Sequence, residues 1–480
     1  MSKEIMTVDL HCHPNLKSFN SGHPLPKYGM WENIHHNIES KFAKTISEQS
    51  AHVLKESQTN LYALAEGNVR IFNVSLYPIE RGFLHLRNIP KALIGKNKIN
   101  ILQEVITGFD IERIVHLKKY DDYFQDLQDE YAFIEKAQGK SPDGKYEFVL
   151  VNNYAELEAA LKKKNTLIGI VSIEGGHALG TGRETTESLS TEKLLELVTE
   201  RISIIKKWKN PPLTINLAHH FWNQLCGHAT SFKAPINSIV NQNKGKNKGI
   251  TEAGWQVIRQ LLSRENGKRI LIDTKHMSIA ARKEYYDFIA NYNFLNPQDI
   301  IPIISSHAGV NGIQTMEGSI RENDLPRKAR WQRFFKWSIN LSNEEVRIIH
   351  QSKGLIGIMM DRGMLGGLKA IKKIVEIEDT HKKRLEYCKL FWDNAFQIAK
   401  AVKEKSAWDV VALGTDFDGT ITHMEPYHSS AKIPDLQKDL IAYLEKTNYQ
   451  KDLWYDYTPE QLVEKIMHQN ALDFYKKFFV

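Results

Sequence analysis

Two periodicities alternate along this chain. Short runs rich in Val, Ile and Leu are separated by longer stretches in which apolar residues recur every three or four positions. The first pattern predicts strand and the second predicts helix. Eight strands are expected, at 7–13, 69–77, 166–175, 213–220, 269–276, 301–307, 354–360 and 410–419. Between them, "TEKLLELVTERISIIKKW" and "TEAGWQVIRQLLSREN" read as helices, the second capped by Thr251 and ended by Asn266-Gly267. Strands alternating with helices argue for an α/β fold with a parallel sheet.

An open doubly wound sheet has the same periodicity, so the polar residues at the strand ends must separate the two. Six of the eight runs finish in ionisable or metal-ligating types: His11 and His13, Glu174, His219, His276, His307 and Asp416. A (β/α)8 TIM-type barrel brings the C-terminal ends of its strands to one mouth, where active sites sit. That barrel is the expected fold. Long segments follow the first, second and sixth strands, at 14–68, 78–165 and 308–353, and their helical patterns read as insertions around the mouth of a single domain spanning 1–480. Within the second, "KSPDGKYEF" (140–148) predicts a surface hairpin or turn.

Composition narrows the function classes. With 42% hydrophobic and 25% charged residues the chain is of the soluble globular kind, and no run approaches the ~20 apolar residues of a membrane span. Its net charge of +7 is a small excess of 64 basic over 57 acidic residues. The densest basic run, "NKGKNKG" at 243–249, has no interleaved aromatics, so neither nucleic acid nor membrane is an expected partner. The N-terminus has no hydrophobic signal core, and a cytoplasmic location is expected. Cys12, Cys226 and Cys388 are scattered without CxxC spacing, which argues against a disulfide framework or a cysteine-rich zinc site.

The strand-end residues suggest their own chemistry. Positions i and i+2 of a strand share a face, so His11 and His13 point together. Four histidines, a glutamate and an aspartate fit a two-metal hydrolytic centre, since neutral imidazole suits zinc and a carboxylate can bridge two cations. Paired ions about 3.5–4 Å apart can share a water, acidify it and polarise a carbonyl. A nearby carboxylate must then move the proton, and Asp416 is the candidate. Plainer readings stand beside these. Glu174 can be a buried salt-bridge partner, and His276 and His307 can be hydrogen-bonded core histidines. Either His219 or His220 can be the one that faces in. Asp418 reads as a cap for the loop that follows it, and His177 as orienting Glu174 or packing locally. His35 and His36 read as an exposed helix face, His423 and His428 as loop residues, and "RWQRFFKW" (330–337) as packing.

"VSIEGGHAL", "LTINLAHHFW", "GITEAGWQVIRQLL" with "ILIDTKHMS", "PIISSHAG", and "VALGTDFDG" with "KIPDLQKDLIAYL" occur in that order. With "QTNLYALAEGNVRIFNVSLYP" and the tail "TPEQLVEKIMHQNALDFYKKF", they make most of the chain resemble the membrane (renal) dipeptidase family of the amidohydrolase superfamily. The resemblance implies that His11 and His13 hold a first metal, that Glu174 bridges, and that His276 and His307 hold a second. It also implies that His219 contacts the substrate carbonyl and that Asp416 is the catalytic carboxylate. The implied activity is metal-dependent cleavage of a dipeptide or related small amide by a metal-bridging hydroxide. Two divalent ions, zinc by type, would serve it, and a homodimer is possible. Two features depart from the family. His-x-His replaces the usual His-x-Asp, and Ile339 in "WSINLSNEEV" stands where an arginine for the substrate carboxylate is expected, leaving Arg321, Arg330 or Arg333 as replacements. The second departure keeps open a lactone, N-acyl amino acid or cyclic amide as substrate. A catalytically degenerate barrel acting as a binding protein is the non-enzyme alternative.

Overall fold

The computed structural model describes residues 5–20, 27–34, 56–87, 96–120, 122–232, 236–319 and 333–480. His35, His36, Arg321 and Arg330 lie outside the described residues. The strands are β1 (Thr7–Cys12), β2 (Val69–Leu76), β3 (Gly139–Lys140), β4 (Glu147–Leu150), β5 (Thr166–Ile173), β6 (Thr214–Asn216), β7 (Leu271–Asp273), β8 (Ile304–Ala308), β9 (Leu355–Ile358) and β10 (Val411–Leu413). Eight of them pair in parallel in the order β1-β2-β5-β6-β7-β8-β9-β10. Past their ends, Cys12 bridges to Phe417, Asp416 N donates to His11 O at 2.8 Å and His13 N to Phe417 O at 3.0 Å. The result is a nearly closed (β/α)8 barrel, and all eight expected strands belong to it. Every residue of β5 is buried, as expected for a strand with the barrel interior on one face and helices on the other.

Three strands end three or more residues earlier than their apolar runs suggested. His276 (φ 68°) and Asp416 (φ 59°) adopt left-handed backbone, which no strand can continue through, so β7 and β10 stop three residues short of them. After β6, the carbonyl of Leu217 accepts from Asn223 Nδ2 at 2.6 Å and Gly176 N at 3.3 Å instead of from a strand. The ladder is abandoned where the polar residues turn into the mouth. The hairpin expected at 140–148 is present, with β3 antiparallel to β4, and β4 also pairs in parallel with the first half of β5, outside the barrel.

Helices pack around the strands as the apolar spacing requires. Thr191–Lys206 buries Leu194, Val198, Ile202 and Ile205 and is capped by Ser190. Glu252–Leu262 is capped by Thr251, whose side chain accepts from Gly254 N at 2.9 Å, and it ends at Ser263, ahead of the expected Asn266-Gly267. The C-terminal segment runs through Pro459–Glu464, a π turn at Lys465–Gln469 and Asn470–Phe478. There Asn470 Nδ2 donates to the carbonyls of Trp408 and Val411 (2.5 and 2.7 Å), fixing the base of β10. No helix among the described residues is long and apolar enough to cross a membrane.

Candidate metal centre

Seven side chains expected from the sequence meet at the C-terminal mouth of the barrel. His11 lies in β1 and His13 just beyond it, Glu174 follows β5, and His307 lies in β8. His219, His276 and Asp416 are each the third residue past β6, β7 and β10. All seven are buried, none more than 6% exposed. The two glycines after Glu174 have steric reasons. Gly175 sits at φ 99°, where an added Cβ would fall 2.3 Å from the His177 ring, and a Cβ on Gly176 would fall 2.6 Å from Leu217 O.

Glu174 is the hub. Its Oε2 is 3.2 Å from His13 Nε2, and its Oε1 is 3.3 Å from His11 Nε2, 3.4 Å from His276 Nε2 and 3.5 Å from the Nε2 atoms of His307 and His219. Asp416 Oδ1 stands 3.7 Å from His13 Nε2 and 3.9 Å from His11 Nε2. The Nε2 atoms of His11 and His13 are 3.2 Å apart, and those of His276 and His307 are 3.1 Å apart. Two nitrogens bound to one tetrahedral ion at about 2.0–2.1 Å stand about 3.3 Å apart. Two groups of donors therefore match the spacing of cation sites that share Glu174: His11, His13, Glu174 and Asp416, and Glu174, His276 and His307.

The far ring nitrogens decide whether those Nε2 atoms can donate a lone pair. His13 Nδ1 donates to Ser75 O (3.0 Å). His11 Nδ1 meets the hydroxyls of Ser75 and Ser306 (3.2 and 3.1 Å), and His307 Nδ1 meets Ser306 Oγ at 2.9 Å. With Nδ1 carrying the proton, each neutral ring presents its Nε2 lone pair to the cluster, the arrangement metal-ligating histidines use. The donor set fits divalent cations.

Glu80 is a site residue that periodicity did not reveal. Its Oε2 accepts from His219 Nδ1 at 2.6 Å, from His220 N at 3.2 Å and from the Tyr77 hydroxyl at 3.2 Å, while Oε1 accepts from Phe221 N at 2.9 Å. The sequence signal was a carboxylate in "SLYPIERG", just past the second strand, the place where the other strands carry theirs. His220 Nδ1 pairs with Ser231 Oγ at 2.7 Å, so His219 is the one whose ring reaches Glu174. His177 does not orient Glu174. Its Nε2 donates to Pro78 O at 2.6 Å, and the ring packs against Tyr77 and Tyr123.

Charge is partitioned across the cluster. Burial opposes a charged His13, but Asp416 and Glu174 outweigh it and lift its pKa to about 10. Burial likewise opposes a charged His219, and Glu174 and Glu80 overcome it to raise its pKa. Burial, reinforced by the charge of His219, drops His276 to about 3, and burial with His11 drops His307 well below the usual range. Glu174 resists the upward pull of burial and lies well below an ordinary carboxylate because His219 and His11 face it. Asp416 moves the other way, raised by burial and by the like charge of Glu174. Two neighbouring carboxylates are thus pushed apart in proton affinity.

Several expectations resolve differently. Asp418 caps a segment far back in the sequence, accepting from the backbone N–H groups of Gln58 and Thr59 and pairing with Lys17 Nζ at 2.7 Å. The loop after it is held by other contacts. Arg333 is committed to Asp393 and Tyr449 on the outer side of the barrel, so it offers no cation to the mouth. Ile339 packs with Ala229, Phe335 and Trp337 in a small apolar cluster. His423 is held by Gln58, with 3.1 Å between His423 Nδ1 and Gln58 Nε2.

No family model matches the chain, and no curated protein matches it. Among solved structures, it resembles a dipeptidase described as a metallopeptidase of family M19, at TM-score 0.52 and 14% identity, covering 99% of both chains. It also resembles a metallopeptidase from Rhodobacter sphaeroides liganded with a phosphinate mimic of the dipeptide L-Ala-D-Ala, at TM-score 0.51 and 14% identity, covering 99% of this chain and 100% of that one. At such identity the likeness is one of fold, and it is the fold that the sequence motifs implied.

Proposed function

We propose that this chain is a metal-dependent hydrolase that cleaves a small amide, such as a dipeptide, at the mouth of its barrel. The observation that carries the reading is the convergence of His11, His13, Glu174, His276, His307 and Asp416, from five different strands, onto one carboxylate. His11 and His13 would hold one divalent ion, His276 and His307 a second, with Glu174 common to both. Imidazole-rich donors favour zinc. Cations held there supply Lewis acidity toward a carbonyl oxygen and make a water acidic at neutral pH. Asp416, whose proton affinity is raised by burial and by Glu174, takes the proton from water and passes it to the departing amine. His219, oriented by Glu80, donates through Nε2 to the carbonyl oxygen as negative charge develops there. The two solved structures of the same fold, one a dipeptidase and one carrying a dipeptide mimic, support an amide substrate.

The loss of an arginine at Ile339 and the outward commitment of Arg333 favour a second reading, in which the same centre hydrolyses an N-acyl amino acid, a lactone or a cyclic amide. The test is a turnover screen of zinc-, manganese- and cobalt-reconstituted protein against dipeptides and those three classes. Dipeptide cleavage at rates well above the others supports the first reading. Chain that takes up no metal and turns over nothing refutes both and leaves a binding protein.

A further inference from the structure

Among the described residues, buried cations are answered by acceptors, with one exception at the mouth. Arg113 faces Asp126, Arg282 faces Glu345, Arg362 faces Glu425 and Lys465 faces Asp409. Lys206 donates to the carbonyl of Ser263 at 2.6 Å. Lys275 is 3% exposed, and the hydrogen-bond partner of its ammonium is the thioether of Met359, Nζ to Sδ 4.0 Å. A thioether is a weak acceptor, whereas an ammonium carries three donors. A charge buried without a close counter-ion is strongly disfavoured, so such a residue persists where something else compensates it.

Its position indicates what compensates. Lys275 lies between the last residue of β7 and His276, and Met359 follows β9, so the ammonium sits at the same strand ends as the donor cluster. Its charge acts on both His276 and His307. The charges that face it are Asp416, Asp361 and Asp273, opposed by Arg282, and none of the three carboxylates is within ion-pair distance. Asp361 is occupied by the N–H groups of Gly363, Met364 and Thr422, and Asp273 Oδ1 by those of Lys275 and Ser306. Two divalent ions would offset Glu174, Asp416, Asp361 and Asp273, which leaves the Lys275 ammonium as uncompensated positive charge.

We propose that Lys275 is the cation of an anion subsite and binds a carboxylate carried by the substrate. This rests on the hydrolase reading and narrows it to amides bearing an acid group, an N-acyl amino acid or a dipeptide, against neutral lactones and cyclic amides. The test uses calorimetry on metal-loaded full-length protein with a reduced-amide dipeptide, in which CH2–NH replaces the scissile amide, as its free carboxylate and as its C-terminal amide. A charge-assisted contact predicts that wild type binds the carboxylate about 10- to 100-fold more tightly. Lys275→Met, which fills the same space without charge, should erase that preference, and Lys275→Arg should restore most of it. Metal content and melting temperature are measured on every variant. Equal affinity of wild type for the two probes, or an undiminished preference in a folded, metal-loaded Lys275→Met, overturns the subsite. Parallel turnover of the hydrolysable dipeptide separates the two claims, because carboxylate-selective binding without any turnover refutes the hydrolase and leaves the subsite standing.

Discussion

Replacing Glu80 by glutamine changes one atom and should cripple the site without emptying it. Glu80 accepts four hydrogen bonds, from His219 Nδ1, His220 N, Phe221 N and the Tyr77 hydroxyl. A glutamine offers one acceptor oxygen and an NH2 group that would confront an N–H donor. Burial pushes the Glu80 carboxyl up, but His219 and His177 outweigh it and bring its pKa from an ordinary 4.5 to about 2. At 1.36 kcal/mol per unit, that amounts to about 3 kcal/mol of preference for the ionised form in the folded chain. A depressed carboxylate stabilises the fold where it is ionised, so this contribution is full above about pH 4.5 and is lost as pH falls through about 2. Glu80→Gln should therefore lower stability near neutrality by about 1–3 kcal/mol, since part of the network survives. His219 also loses one of the two carboxylates that keep it charged, so its pKa falls. The alkaline limb of the pH–rate profile should then move to lower pH, and kcat should drop by roughly 10- to 100-fold with metal retained. Urea denaturation, metal analysis and pH–rate profiles on the same preparations check this. A folded, metal-loaded variant with wild-type kcat and an unmoved alkaline limb refutes the role given to the Glu80–His219 pair.

Asp416→Asn should keep its metal and lose turnover by about 10²–10⁴-fold, while undiminished turnover would remove Asp416 from the proton path. His307→Ala should lower bound metal by one ion per chain, read by inductively coupled plasma mass spectrometry, and unchanged stoichiometry would count against His307 as a ligand. Because Asp416 and Glu174 lift His13 to about pKa 10, a cation entering near neutrality must displace a proton there. Metal uptake should release protons and weaken as pH falls, and calorimetry in buffers of differing ionisation enthalpy would expose a binding event that releases none. Gly175→Ala combines φ 99° with a Cβ 2.3 Å from the His177 ring and should cost more than about 2 kcal/mol, so a melting temperature within a degree of wild type would contradict the packing described.

The barrel and most of its mouth were legible in the sequence because both follow from local pattern. β-branched runs such as "TLIGIVSI" are buried on both faces, and a polar residue at the end of such a run has one place to go. His11, His13, Glu174, His276, His307 and Asp416 were found that way. What stayed hidden depends on contacts between distant segments. Nothing near Glu80 announces its tie to His219, 139 residues on. Asp418 looked like a local cap but serves Gln58 and Thr59, some 360 residues back. Strand ends were overrun at β7 and β10 because apolar periodicity carries no sign of the left-handed turns at His276 and Asp416. Lys275 was invisible for a related reason, since the missing counter-ion of a lysine appears only once its neighbours in space are known.

The most direct measurement is anomalous X-ray diffraction from crystals of the zinc-loaded chain, recorded on both sides of the zinc edge. Two peaks about 3.5–4 Å apart astride the Glu174 carboxylate, one beside His11 and His13 and the other beside His276 and His307, are the expected result. No peak at Glu174, or zinc bound only elsewhere on the chain, contradicts the proposal that these residues form a hydrolytic metal centre.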